Sequence, residues 1–337
     1  DRFQAISETA CCVSAVLTPD NCVDELERVI REALRHSMPA YIVISQVNGG
    51  MPVIGTPVAG EPLDRIKRQR SDATELAAAI AAISAKIAAA QSPVATVTTL
   101  TARYGVGGKA AELVAKANIP VAITPNDKGA LDESVPQFIG LYAAQASNPP
   151  AVRDIVEGAD LILDIGGVML TELNTGFWGD VLDTSRAICI HENWVRSGTD
   201  VYVNVAIDDV LDGLIAAVAP RTREPAPAAA MIELAGSGAD PTSSATFYPR
   251  LQRRLRAGDT LVIETGTCML HLNGMRLPAG VGAQEQGLWG SIGWATPATL
   301  GVAMAKTSGR TWAVTGDGSH QLTLNELAVM GRYGIKP

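Results

Sequence analysis

Thr311-Trp312-Ala313-Val314-Thr315-Gly316-Asp317-Gly318-Ser319, near the carboxyl end of the chain, is the segment from which the expected architecture follows. Its first five residues are β-branched or aromatic apart from one alanine, which is typical of a buried strand. From Thr323 onward the apolar residues recur at helical spacing, and Thr323 with Glu326 forms a predicted capping box. The order of strand, glycine-flanked acid and helix indicates an α/β unit whose turn carries Asp317.

The Gly-Asp-Gly turn can be a ligand site or an ordinary bend. Glycines let the backbone approach a ligand closely, and a helix N-terminus favours phosphate. A carboxylate at the same place would repel phosphate unless a cation lies between them, so a diphosphate bridged through Mg²⁺ would satisfy Asp317. Asp-Gly is also a common turn dipeptide, and the residues upstream have to distinguish the two interpretations.

Length and composition describe a globular protein with room for two or three domains. The chain has 337 residues, of which 47% are hydrophobic, enough to bury substantial cores. The net charge of -8 argues against nucleic-acid binding and against an anionic-membrane patch, so small molecules and other subunits are the expected partners. Five cysteines without C-x-x-C spacing favour a reduced, cytoplasmic setting, and four scattered histidines argue against a histidine-based metal site. The alanine-rich run from Leu76 to Ala90 is interrupted by Lys86 and predicts an amphipathic helix, not a membrane span.

Two stretches rich in glycine, proline or alanine divide the chain into α/β units. Residues 1–50 show an irregular lead-in from Arg2 to Leu17, a helix from Pro19 and a strand from Tyr41 to Ile44, too little for an independent domain. Alternating strands and helices then predict doubly wound parallel sheets with helices on both faces. The predicted segments are 1–50, a linker at 51–72, a unit at 73–218, a linker at 219–245 and a unit at 246–337. Because Asp1 is not Met and a further strand is expected after Pro337, we interpret the chain as a fragment.

The middle unit offers one candidate ligand site. Gly105-x-Gly107-x-x-Ala110 lies between a predicted strand, Val94 to Leu100, and a helix, and Asp127 follows Gly107 by about 20 residues, as in a dinucleotide fingerprint. Against this, loose residues separate the strand from the glycines, and the same glycines would also serve tight helix-strand packing. A nucleotide-binding oxidoreductase or regulatory module that uses NAD or FAD stays open as the alternative.

The last unit offers a rival site made of three clusters. They lie at strand ends or in a glycine-rich crossover, where open α/β sheets bind ligands, and three so close together are hard to explain as turns. Trp289 and Trp294 are expected to pack in the core. The clusters are Glu264-Thr265-Gly266, Leu288-Trp289-Gly290-Ser291-Ile292-Gly293-Trp294 and Thr315-Gly316-Asp317-Gly318-Ser319.

These clusters resemble those of the thiamine-diphosphate-dependent 2-keto acid decarboxylases, the group of pyruvate, indolepyruvate and phenylpyruvate decarboxylases. The segments E-T-G-T, L-W-G-S-I-G-W and T-G-D-G-S-H-Q-L-T occur in the same order, and the resemblance covers essentially the whole chain. It implies the α/β thiamine-diphosphate-enzyme fold. Residues 1–50 would then end a pyrimidine-binding domain, 73–218 would form a Rossmann-like middle domain, and 246–337 would form the first half of a diphosphate-binding domain.

The resemblance also implies which residues bind the cofactor. Asp317 matches the acid that binds Mg²⁺, and Thr265 matches a cofactor-side threonine. Gly290 matches the residue whose carbonyl receives the aminopyrimidine, and Ile292 matches the apolar wedge that keeps the cofactor bent. The implied cofactor-binding set is Thr265, Gly290, Ser291, Ile292, Gly316, Asp317, Gly318 and Ser319.

The implied reaction is non-oxidative decarboxylation of a 2-keto acid to an aldehyde and CO₂, with thiamine diphosphate and Mg²⁺ as cofactors. The family's catalytic glutamate and histidine pair, and the asparagines that complete the Mg²⁺ site, match nothing in this chain, so its catalytic residues are unknown and the fragment is expected to be inactive. Because the glutamate comes from a neighbouring subunit, a homodimer or homotetramer is expected.

His320 departs from the family, which often carries an aromatic such as Phe there. Acetohydroxyacid synthases, which hold FAD in the middle domain, remain an alternative.

Overall fold

The computed structural model describes residues 2–53, 70–167, 182–222, 228–306 and 308–337. The chain forms two compact units, Asp1–Arg70 and Ser71–Pro337. Most of the predicted linker at 51–72 lies outside the described residues, as does part of the one at 219–245. Within the described part of the chain, every helix falls short of the length and apolar character that crossing a membrane requires.

The first unit is a two-stranded parallel sheet with helices. Its elements are α1 (Arg2–Glu8), β1 (Val13–Leu17), α2 (Cys22–His36) and β2 (Ala40–Ile44). Val13 pairs with Ala40, and a small core forms from Ala15, Leu17 and Val29. The prediction of an irregular lead-in was therefore wrong, because this short apolar segment becomes a strand by pairing with β2, which lies far along the sequence.

The second unit contains a seven-stranded sheet whose strands follow the order β5-β4-β3-β6-β7-β8-β9. The strands β3 to β7 are parallel to one another. The strands are β3 (Pro93–Val97), β4 (Val121–Ile123), β5 (Phe138–Leu141), β6 (Leu161–Ile165), β7 (Ala187–Ile190), β8 (Trp194–Ser197) and β9 (Asp200–Val203).

The prediction of a wholly parallel sheet was wrong at one edge, where β7, β8 and β9 are antiparallel. Only Gly198 and Thr199 connect β8 to β9, and Gly198 has a φ of 69°. A connection that short can only form a hairpin, since a parallel crossover needs a dozen or more residues.

Helices cover both faces of this sheet, which confirms the doubly wound α/β class. Ile83, Leu113 and Val210 pack on one face, and Val152 and Val156 pack on the other. The Asp72 carboxylate caps the first of these helices by accepting bonds from the amides of Thr74 and Glu75. The helices are α3 (Ala73–Ala89), α4 (Thr99–Arg103), α5 (Gly107–Ala117), α6 (Ala151–Glu157) and α7 (Ile207–Ala217).

The same unit contains a three-stranded parallel sheet in the order β11-β10-β12. The side chains of Leu261, Ile263, Leu272 and Met275 contribute to its core. The elements are α8 (Ser244–Arg254), β10 (Thr260–Ile263), α9 (Thr267–Asn273), β11 (Gly282–Glu285), α10 (Ala295–Ala305), β12 (Thr311–Val314), α11 (Asp317–Leu322) and α12 (Glu326–Tyr333).

Candidate functional site

The three sequence clusters meet at the carboxyl edge of the three-stranded sheet. Ile263, the last residue of β10, is paired with Glu285 of β11 and Val314 of β12. The residues that follow these strands therefore leave the sheet side by side. Open α/β sheets bind ligands at this edge.

Glu264 ties the clusters together. Its side chain is completely buried, and its Oε2 accepts hydrogen bonds from the amides of Gly293, at 3.2 Å, and Ala295, at 3.1 Å. The Thr315 hydroxyl donates to the same oxygen at 3.4 Å. A buried carboxylate has to be compensated by donors of this kind, so Glu264 fixes the glycine-rich loop next to the Asp317 turn.

The role of Glu264 is not among those predicted from the sequence. The available signal was an acid placed directly after the buried strand Thr260–Ile263, where a carboxylate has to find hydrogen-bond donors. Which donors it finds depends on a loop that lies far along the sequence.

Thr265 and Gly290 lie together on the surface of the site. The Thr265 hydroxyl donates to the carbonyl oxygen of Gln286 at 2.6 Å. Gly290 has a φ of 60°, and a Cβ there would lie 3.8 Å from the Thr265 methyl group. Ser291 and Ile292 follow on the exposed part of the loop, and Ile292 is 54% exposed. Four of the predicted residues are thus brought together with Glu264 beneath them.

The prediction that Trp289 packs in the core was wrong. Its side chain is 82% exposed, whereas Trp294, the N-cap residue of α10, is partly buried. Trp289 extends from a loop beyond the sheet edge, where no described element lies over it. The hydrophobic character of a tryptophan does not by itself predict that its side chain is exposed.

The helix after Asp317 begins earlier than predicted. Asp317 is the first residue of α11, Gly316 is its N-cap, and the first intrahelical bond runs from the His320 amide to the Gly316 carbonyl at 2.9 Å. The capping box of Thr323 with Glu326 was wrong, because Asn325 precedes α12 and the Thr323 hydroxyl donates to the carbonyl of Gly293 at 3.0 Å.

A diphosphate fits the space at this helix N-terminus. A Cβ at Gly316 or Gly318 would meet no heavy atom within 4 Å, and the amides of the first turn lie before the first intrahelical bond. Ser319 is buried at the same turn. The predicted set of Gly316, Asp317, Gly318 and Ser319 therefore lies next to open space at the N-terminus of α11.

Asp317 supplies a carboxylate that is open to a metal at the site. Asp317 is exposed, and no hydrogen bond to its side chain occurs within the described ranges. Those ranges also contain no group of three His, Cys, Asp or Glu residues arranged for a metal. Mg²⁺ is commonly held by one or two carboxylates together with phosphate oxygens and water, so this donor set fits Mg²⁺ delivered with a diphosphate.

His320 packs between two helices of the site. Its Nδ1 lies 2.9 Å from the hydroxyl of Thr296 on α10. The departure from the aromatic expected at this position therefore adds a hydrogen bond between α11 and α10.

The rival glycine motif forms no nucleotide cradle. Helix α4 lies between β3 and Gly105, and a Cβ at Gly107 would approach the Ala130 carbonyl oxygen to 2.6 Å. Asp127 is buried and accepts a hydrogen bond from the Thr124 hydroxyl. Among the described residues, a Cβ at Gly105 would meet no close neighbour, but Gly105 has a φ of 69°. Because Gly107 serves close packing and the acid is not open to a ribose, the geometry gives the dinucleotide interpretation no support.

Two family models match the chain. Residues 80–211 match the thiamine pyrophosphate enzyme central domain, and residues 264–337 match the C-terminal TPP binding domain. The candidate site lies entirely within the second match.

Curated relatives cover nearly the whole chain. It is 29% identical to pyruvate decarboxylase isozyme 1 of Saccharomyces cerevisiae, with 98% of this chain and 59% of the relative covered. It is 30% identical to an alpha-keto-acid decarboxylase of Mycobacterium leprae, with 100% and 59% covered. It is 30% identical to a pyruvate decarboxylase of Hanseniaspora uvarum, with 93% and 56% covered. The chain thus spans less than two thirds of the length of these relatives.

Solved structures share the fold. A thiamin diphosphate-dependent enzyme from Mycobacterium smegmatis superposes with a TM-score of 0.72 at 20% identity, covering 96% of this chain and 63% of that one. Benzoylformate decarboxylase from Polynucleobacter necessarius gives a TM-score of 0.68 at 16% identity, covering 93% and 59%. The two matched domains show that the chain belongs to the thiamine-pyrophosphate-enzyme family, and the curated relatives show that it is similar to pyruvate and alpha-keto-acid decarboxylases.

Proposed function

We propose that the complete natural protein containing this chain decarboxylates a 2-keto acid to an aldehyde and CO₂ with thiamine diphosphate and Mg²⁺. The observation that carries the proposal is the buried Glu264 carboxylate, which joins the glycine-rich loop to the Asp317 turn. The similarity to pyruvate and alpha-keto-acid decarboxylases supports the reaction class.

The proposed site has two parts. Asp317 would bind Mg²⁺, and the first-turn amides of α11 with Ser319 would receive the diphosphate. Gly290 would accept a hydrogen bond through its carbonyl, and exposed Ile292 would supply the apolar support for the organic part of the cofactor. Thiamine diphosphate, when bound, supplies a nucleophilic carbon and accepts the electrons left when CO₂ departs.

The chain's own contribution is to fix these groups before the cofactor arrives. Glu264 holds the amides of Gly293 and Ala295, and Thr265 holds the carbonyl of Gln286, so both ends of the loop are tied to the end of β10. A site whose donors are already oriented pays less ordering entropy when a ligand binds.

The domain assignment and assembly extend the proposal. We infer that residues 1–50 belong to a pyrimidine-binding domain, 73–218 to a middle domain and 246–337 to a diphosphate-binding domain, with linkers at 51–72 and 219–245. The family resemblance supports a homodimer or homotetramer, and five cysteines without a disulfide fit a cytoplasmic setting.

Aldehyde release tests the proposed reaction. The complete natural protein, given pyruvate, phenylpyruvate or indolepyruvate, should release the matching aldehyde only when thiamine diphosphate and Mg²⁺ are both present. Turnover that does not depend on the cofactor, or the absence of aldehyde from every 2-keto acid, would contradict the proposal.

A further inference from the structure

A buried ionic joint connects the two sheets of the second unit. The ammonium group of Lys128 lies 2.9 Å from the Glu133 carboxylate, and their side chains are 1% and 0% exposed. Lys128 also donates to the carbonyl oxygens of Asn273 and Met275, and the Leu277 amide donates to Glu133 at 2.8 Å. Residues of the matched central domain are thereby hydrogen-bonded to residues of the matched C-terminal TPP binding domain.

The joint leaves little room for relative movement. Gly129 has a φ of 81°, and a Cβ there would lie 2.8 Å from both the amide nitrogen and the carbonyl oxygen of Ala283 in β11. The Asn273 amide group donates to the Pro125 carbonyl, and a Cβ at Gly287 would collide with the Asn126 side chain. The loop around Lys128 is therefore packed along β11 and just past its end.

Glu285 is the point at which this joint reaches the candidate site. It is the last residue of β11, and its Oε1 accepts a hydrogen bond from the backbone amide of Lys128 at 3.0 Å. Its other carboxyl oxygen is shielded from solvent. The next residue, Gln286, is the one whose carbonyl is held by Thr265. The loop 286–293 therefore leaves the sheet from a residue fixed by the other domain.

We propose that Glu285 is a positioning residue through which the central domain sets the start of loop 286–293, and with it the placement of Gly290 and Ile292 against the cofactor. This inference rests on the proposed function, because it assumes that the loop contacts thiamine diphosphate. Glu285 directly precedes the loop's first residue, Gln286, and its side chain is held by the Lys128 amide, so its replacement is expected to change cofactor affinity.

Burial of the Glu285 carboxyl favours its neutral form. Burial raises the pKa of the Glu285 carboxyl to about 8, the charge of Asp127 adds to the rise, and Lys128 opposes it. The Lys128 ammonium is already paired with Glu133. A second buried negative charge at Glu285 would therefore be poorly compensated, and its ionisation should disturb the loop.

Cofactor titration of the complete protein tests the role of Glu285. The dissociation constant of thiamine diphosphate with Mg²⁺ is measured by isothermal titration calorimetry for the unmodified protein and the variants. Glu285→Ala should weaken binding about tenfold, which corresponds to ~1.4 kcal/mol, while Glu285→Gln should retain near-normal affinity because it keeps the acceptor. Above a pH of about 8 the unmodified protein should lose affinity, and Glu285→Gln should not.

Asp132→Asn is the matched control. Asp132 also joins the two sheets, but it accepts from the Gly280 amide at 3.2 Å, ahead of the start of β11 and away from the site. It should lower thermal stability without changing cofactor affinity. Equal affinity for Glu285→Ala and the unmodified protein would overturn the inference. Equal weakening of cofactor binding by Glu285→Ala and Asp132→Asn would overturn it as well. Absence of binding by the unmodified protein would overturn the proposed function and this inference with it.

Discussion

At the scale of single residues, Glu264 is the side chain on which the geometry of the candidate site depends. Replacing Glu264 with Gln removes the charge that attracts the Gly293 and Ala295 amides and places an amide donor near other donors. We expect a loss of about 2 kcal/mol in unfolding free energy and weaker cofactor binding, because hydrogen bonds to a buried charge are among the strong ones. Urea denaturation and cofactor titration measure the two effects.

Glu112→Gln is the control for this change, since Glu112 is an exposed acid on α5. It should leave both stability and binding unchanged. If Glu264→Gln behaved like Glu112→Gln, Glu264 would not organise the site.

Residues of the candidate site could be identified from the sequence where they belong to a recognisable motif. Thr265, Gly290 and Asp317 stand in short segments whose order is informative, and the structure brings those segments to one sheet edge. The role of Glu264 could not be predicted, because it depends on which distant amides converge on one carboxylate. Trp289 was misjudged for a related reason: its exposure is a property of the loop and not of the residue type.

At the scale of elements, Asp259 joins the amino ends of β10 and β12. Its buried carboxylate accepts bonds from the Arg310 guanidinium, at 2.6 Å and 3.2 Å, and from the Trp312 indole at 3.0 Å. Burial alone would raise the pKa of Asp259, but the hydrogen bonds from Arg310 and Trp312 outweigh it and hold this pKa well below its usual range.

Asp259→Asn should therefore destabilise the three-stranded sheet. We expect a loss of about 2 kcal/mol in unfolding free energy, because the Asn amide places a donor against the backbone amides of Arg256 and Arg310. The Arg310 guanidinium is 47% exposed and can be solvated, so it adds little to the loss. Because the folded pKa is depressed, the stabilisation by Asp259 is present above a pH of about 3.8 and is lost as the pH falls. Urea denaturation at neutral pH measures the change, and a loss below about 1 kcal/mol would show that the hydrogen bonds to Asp259 contribute little.

Some elements could be predicted closely and others could not. The strands Leu161–Ile165 and Thr260–Ile263 and the helix Ala151–Glu157 are readily predictable, since each is a clear apolar run or period in the sequence. Strand β11, Gly-Ala-Gln-Glu, contains no β-branched residue and is a strand only because β10 pairs with it. Helix α11 was missed because its first residues are the glycines and acid of the turn.

At the scale of the whole molecule, Glu285 makes the free energy of unfolding depend on pH. Its folded pKa of about 8 lies above the ordinary value of 4.5, so the folded state holds a proton that the unfolded state releases between these values. The stabilisation is complete below a pH of about 4.5, declines as the pH rises, and is lost once the pH passes about 8.

Glu285→Gln should flatten this dependence and should be more stable than the unmodified protein at a pH of about 8. Thermal unfolding of both proteins across this range gives the comparison. Parallel curves for the two proteins would mean that Glu285 does not carry the proton.

Binding of thiamine diphosphate by the complete natural protein tests the central claim most directly. Isothermal titration calorimetry with and without Mg²⁺ should show saturable binding that requires the metal and is lost in Asp317→Ala, while Asp200→Ala, at an exposed acid of β9, should bind normally. Retained Mg²⁺-dependent affinity in Asp317→Ala, or no saturable binding by the unmodified protein, would contradict the account.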